Sequence, residues 1–153
     1  MYKWMVVVAL VWGSLSAFAA ETVVAKPQHS AGRKQLIGNH KLALQWISWT
    51  HFGSATVVEE AGQLKLTGEQ RAKEGQDFLT IEGTITDIRA KTFTFRGVIK
   101  TRVDTIYKSE VPCVREGEMT FRISGKRPYW RLKDMANPCV GGGLVDYVDL
   151  YFD

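Results

Sequence analysis

The chain of 153 residues is poor in the residues that usually announce chemistry: it has two cysteines, three histidines and four prolines. Two cysteines allow one pairing and no disulfide framework. Cys113 and Cys139 stand far apart with no histidine beside them, which excludes a zinc site of the usual local ligand spacing. His29, His40 and His51 form no H-E-x-x-H pair, and no G-x-S-x-G elbow occurs. Gly125-Lys126 lacks the Gly five residues upstream and the Ser or Thr downstream that a phosphate loop needs; Thr120 and Arg127 stand there. Gly141-Gly142-Gly143 has no helical pattern behind it and reads as a loop. No catalytic residue, metal or cofactor is expected. The carboxylate pairs Glu116/Glu118 and Asp146/Asp149 read as solvated surface acids, because such residues are mostly exposed.

A long hydrophobic run is also missing. The longest, residues 4–12, is well short of the ~20 apolar residues a membrane helix requires. Its setting is that of an export signal: Met1-Tyr2-Lys3 precedes it, and Ala17-Phe18-Ala19 follows as a small-x-small cleavage site. The expectation is a cleavable signal over residues 1–19, cut near Ala19-Ala20. The mature chain would then be secreted or periplasmic and without a transmembrane helix. In that oxidising compartment Cys113 and Cys139 should form a disulfide, worth about 3.5 kcal/mol for a loop of about 26 residues.

Charge of one sign is scarce on the folded part. The net charge of +4 comes largely from Lys3 and from Lys26, Arg33 and Lys34 near the N-terminus. From residue 36 onward the balance is about +1, which argues against a nucleic-acid partner, since that needs a basic domain surface. Residues 20–35 lack periodicity and contain Pro27 and Gly32, and read as a flexible linker. Residues 36–153 are left as one domain.

What is present is a period of two. Candidate strands cover residues 42–49, 55–59, 64–70, 78–87, 92–103, 118–123, 129–133 and 145–152, with a short one near 106–111. A helical candidate at 69–74 is bracketed by Gly68 and Gly75 and reads as a loop. Centring the turns on Ala90, Gly75-Gln76 and Ala61-Gly62 pairs Gly83 with Gly97, Ile85 with Phe95, Gly68 with Gly83, Leu66 with Ile85, and Ala55 with Gly68. Leu64, Leu66, Leu79, Ile81, Ile85, Phe93, Phe95 and Ile99 then share one face, and Lys65, Glu69, Glu82, Arg96 and Lys100 share the other. Ala55, Gly68, Gly83 and Gly97 would form a row without side chains, where a sheet can bend sharply. Consecutive strands with one apolar face predict an all-β domain: an antiparallel up-and-down barrel of about eight strands, with a β-sandwich as the alternative.

In pattern the chain resembles lipocalin-like barrels: single-domain, of about this length, with an early tryptophan and a late arginine. The Gly-x-Trp opening of those barrels would fall at Gly38-Asn39-His40, with His40 where Trp should stand, so no residue role is transferred.

Two groups of side chains could bind something. Trp46, Trp49 and His51, with Phe93, Phe95 and Trp130, could line an aromatic mouth for a small apolar or amphipathic ligand. Trp46 and Trp49 should fall on opposite faces of one strand. Arg122, Arg127 and Arg131 around Tyr129 could instead form a basic-aromatic outer hairpin that holds an acidic group or an envelope protein. A non-enzymatic binding protein with an interior ligand is the leading expectation, and a protein-interaction or inhibitor module is the alternative.

Overall fold

The computed structural model describes residues 29–108 and 110–152. The expected signal peptide and residues 20–28 of the expected linker lie outside the described residues. Eight strands form a closed barrel in simple sequence order, each antiparallel to its neighbours: β1 (Gly38–Leu44), β2 (Gly53–Glu60), β3 (Gln63–Arg71), β4 (Phe78–Ile88), β5 (Thr92–Arg102), β6 (Cys113–Arg122), β7 (Tyr129–Leu132) and β8 (Val148–Tyr151). Pairing of β1 with β8 completes the circuit, so the all-β barrel is the architecture and the sandwich is not.

The two faces divide as the alternation requires. Leu64, Leu66, Leu79, Ile81, Ile85, Phe93, Phe95 and Ile99 are each at most 2% exposed and belong to one core. Lys65, Glu69, Glu82, Arg96 and Lys100 are exposed on the outside. A barrel with its apolar side inward and charge outward is the reverse of one that faces lipid.

Register agrees with the turn geometry in two hairpins and differs in a third. Gly83 pairs with Gly97 and Ile85 with Phe95, and Ala55 pairs with Gly68. Between β3 and β4, however, Leu66 meets Gly83 and Gly68 meets Ile81, a slip of two residues from expectation. The cause is the connecting loop, which is closed by the Ala72 amide on the Asp77 carbonyl at 3.0 Å and so centres earlier than Gly75-Gln76. A slip of two preserves which face each side chain takes. The side-chain-free row therefore runs Gly83, Gly97, Gly117 across β4, β5 and β6. The Phe95 ring occupies the freed space, 2.6 Å from where a Cβ on either Gly83 or Gly97 would sit.

Other elements depart from the sequence reading. Residues 30–35, expected within the linker, belong with Leu36 to helix α1 (Ser30–Leu36), capped by the His29 imidazole on the Gly32 amide at 3.0 Å. Leu36 is buried in the core, and His40 ties the helix to the barrel, its ring nitrogens 2.6 Å from the Leu36 carbonyl and 2.9 Å from that of Tyr151. No strand forms at 104–108, where the amides of Ile106 and Tyr107 turn back onto the Val103 carbonyl. Released from that strand, β6 begins at Cys113, five residues before its expected start.

One seam of the barrel is closed differently from the rest. The β6–β7 ladder holds only Phe121 with Leu132 and Arg122 with Arg131, followed by the Lys133 amide on the Thr120 carbonyl at 2.8 Å. Past that point Arg115 donates to the carbonyls of Asp134 and Met135 at 3.3 and 3.4 Å, and the Cys113–Cys139 disulfide fastens the far end, Cα to Cα 5.9 Å. Side-chain and covalent bonds replace the backbone ladder there.

Candidate functional site

Trp46, Trp49 and His51 do not lie on a strand. The Leu44 carbonyl accepts the amides of Ile47 at 3.0 Å and Ser48 at 3.3 Å, so the chain turns where strand was expected. Gln45 carries the ladder on with its side chain: its Oε1 accepts the Tyr147 amide at 2.7 Å and its Nε2 donates to the Val145 carbonyl at 2.8 Å. Trp46 is half-buried, its Nε1 donating to Asp146 Oδ1 at 3.1 Å. Trp49 is 46% exposed and His51 is exposed. Gln70, fully buried on β3, pins this loop: it accepts the Leu44 amide at 2.7 Å and donates to the His51 carbonyl at 2.9 Å.

Phe93, Phe95 and Trp130 are core residues, 1%, 0% and 3% exposed. Phe93 stacks on Phe121 at 5.0 Å between ring centroids, Phe95 meets Phe121 edge-on at 6.2 Å, and Trp130 meets Phe93 edge-on at 5.7 Å. The rings are one another's contacts. Side chains of this size fill the interior of an eight-stranded barrel. Phe93 and Trp130 lie near the start of β5 and β7, whereas the tryptophan loop follows the end of β1, at the opposite end of the barrel. The six residues expected to wall one aromatic mouth are thus separated into a packed core and a loop.

The other group does converge. Arg122, Arg127, Arg131 and Lys133 line one open concavity of about 360 Å³ with Met135 and Tyr147. Topology explains the gathering. Arg122 and Arg131 are register partners on β6 and β7 and both point outward, Lys133 is next on that face, and Arg127 sits in the connecting turn. Tyr129 stands behind the cleft, with Arg127 5.8 Å and Arg131 5.1 Å from its ring centroid.

Arg131 differs from its neighbours. It is held by Asp149 through two hydrogen bonds of 2.6 Å, and its guanidinium lies 4.0 Å from the Tyr147 ring centroid. Burial pushes the Asp149 carboxyl above the usual aspartate range, and the Arg131 hydrogen bonds oppose that shift. The hydrogen bond that Arg131 donates to Asp149 in turn raises Arg131, which stays charged. Asp149 was expected as a solvated acid, yet it is 0% exposed; the sequence shows only its outward parity, and Arg131 supplies the cover. Asp146 is likewise 2% exposed, bound by Arg115 at 2.9 Å and by Asn137 Nδ2 at 2.9 Å. In contrast, Arg122, Arg127 and Lys133 make no ion pair among the described residues. Gln45, Gln70, Arg115 and Asp149, which organise the loops and the cleft, carry no sequence signal beyond polar residues in or beside apolar strands.

Comparison with known proteins adds kinship. A model of the PM1083 family matches residues 22–152. A protein of Pasteurella multocida (strain Pm70), called "Uncharacterized protein PM1083", is 40% identical over 138 residues, which is 90% of this chain and 87% of that protein. No solved structure matches the chain. On the extent of both matches, the chain belongs to the PM1083 family.

Proposed function

We propose that this protein is an exported, non-enzymatic binding module that docks an acidic envelope or extracellular protein on the outer β6–β7 hairpin. The single observation that carries the reading is the cleft in which, among the described residues, Arg122, Arg127 and Lys133 make no ion pair while Arg131 beside them is paired with Asp149, whose charge Arg127 meets only at longer range. Arg122 faces Arg131 across the strand pair, and because Asp149 balances Arg131, Arg122 is the cation of that pair left for an incoming anion. Export is supported by the N-terminal pattern and by the disulfide, which fits an oxidising compartment. The interior-ligand reading loses its support because Phe93, Phe95 and Trp130 are spent on the core.

The test is binding of the purified mature protein to an immobilised Glu-rich peptide at low and at physiological salt. Binding that weakens with salt and is lost in an Arg122→Glu, Arg127→Glu variant supports the reading. Absence of binding at low salt, or binding untouched by the two reversals, overturns it.

A further inference from the structure

The spacing of the free cations says more about what they take. Arg122 lies on β6 opposite Arg131 on β7. Lys133 follows Arg131 on the same outer face, and its amide holds the Thr120 carbonyl. Arg122 and Lys133 are therefore diagonal neighbours across the strand pair, at the spacing of about 7–8 Å typical of such positions. Arg131 lies between them, already neutralised by Asp149.

Alternate side chains of an extended peptide project from one face about 7 Å apart, twice the ~3.4 Å rise of a strand. Carboxylates on adjacent residues of such a peptide point to opposite faces, and on a helix the matching partners stand three or four apart. We propose that the cleft reads an extended segment of a partner protein carrying two carboxylates at i and i+2, one met by Arg122 and the other by Lys133. Tyr147 and Met135 flank the cleft as apolar wall for the stems of those side chains. Arg131 is a positioning residue: fixed by Asp149 and the Tyr147 ring, it holds β7 and the ring in place and does not itself take the ligand. The inference rests on the acidic-partner reading of the same cleft and adds the conformation and spacing of what is bound.

The experiment uses fluorescent peptides of equal length and charge, rich in Thr and Val to favour extension. Each carries two Glu placed at i,i+1, at i,i+2 or at i,i+4, and is titrated into the mature protein by anisotropy. The i,i+2 peptide should bind about tenfold more tightly than the other two. Arg122→Gln and Lys133→Gln should each erase that preference, leaving the three peptides alike. Equal affinity of the three spacings for the unaltered protein overturns the extended-segment proposal and leaves acidic docking standing. Failure of all three to bind overturns both. Tighter binding of a sulfated glycan of the same charge than of the i,i+2 peptide also overturns it, since a polyanion with no strand periodicity would then be the better match.

Discussion

Arg131 and Asp149 stand opposite each other on β7 and β8 and meet in two parallel hydrogen bonds of 2.6 Å, with Asp149 wholly out of contact with solvent. A forked guanidinium and a carboxylate fit in this way without any rearrangement of either group. The pair lies on the outside of the barrel, under the rim of the basic cleft, so it belongs to both fold and candidate site.

Removing one partner of such a pair leaves the other uncompensated in a dry place. Asp149→Ala is expected to lower unfolding free energy by about 3 kcal/mol. Arg131→Met combined with Asp149→Leu should recover much of that loss, because no charge is then stranded. Urea unfolding of the three variants checks this; an Asp149→Ala loss under 1 kcal/mol contradicts it.

The same carboxyl makes stability depend on pH in a defined direction. Its folded value lies above the unfolded value of about 3.9, so the native state binds this proton more tightly. The contribution is full below the unfolded value and is lost as pH rises through the folded value. Subtracting the Asp149→Asn stability curve from that of the unaltered protein should leave a difference that falls as pH increases from about 4. A difference that rises over that window reverses the assignment of burial as the dominant cause.

The disulfide sits where the backbone ladder lapses, so its loss should act locally before it acts globally. Replacing Cys113 and Cys139 by Ser should cost about 3.5 kcal/mol. Amide exchange in the Ser variant should quicken in residues 114–119 and 134–140, while β3, β4 and β5 stay protected. Uniform quickening across all strands would show that the seam is not a separate unit.

Gly97 has the Phe95 ring and the β4 backbone against the place a side chain would occupy. Gly97→Ala should therefore destabilise by about 1–3 kcal/mol through overpacking. Adding Phe95→Leu should recover part of this by vacating ring volume. Thermal melts of the single and double variants decide the matter; additive losses would place the cause in the backbone alone.

Gln70 is a further point of leverage. Gln70→Leu leaves the Leu44 amide buried without its acceptor and frees the loop that carries Trp46 and Trp49. The expected cost is about 1–3 kcal/mol, with a red shift of tryptophan emission as Trp46 meets water. An unchanged spectrum would mean that the loop is held by Gln45 and Trp46 instead.

Much of the barrel was legible from alternation alone, because parity survives errors in register. Leu66 and Ile85 are not partners, as turn-counting suggested, yet both are buried, since a two-residue slip leaves the face unchanged. The basic-aromatic hairpin was legible too, as Arg122, Arg127, Tyr129 and Arg131 lie close together in sequence. The tryptophan loop was not. Nothing local distinguishes Gln45 as a side chain that imitates backbone, and its partners Val145 and Tyr147 lie at the other end of the chain. Helix α1 was missed for a similar reason: its stability comes from Leu36 and His40 meeting the barrel, not from periodicity in a seven-residue segment.

By itself the sequence determined that the barrel domain is built of β-strands, which side chains turn inward, and that a disulfide was available, because these follow from a two-residue period and a pair of thiols. Only the tertiary structure decided that the interior is filled, that Asp149 rather than a nearer acid neutralises Arg131, and that Arg122 and Lys133 face outward with no ion pair among the described residues. Those outcomes depend on which strands meet across the closed wall, and contacts between distant parts of a chain leave no trace in local pattern.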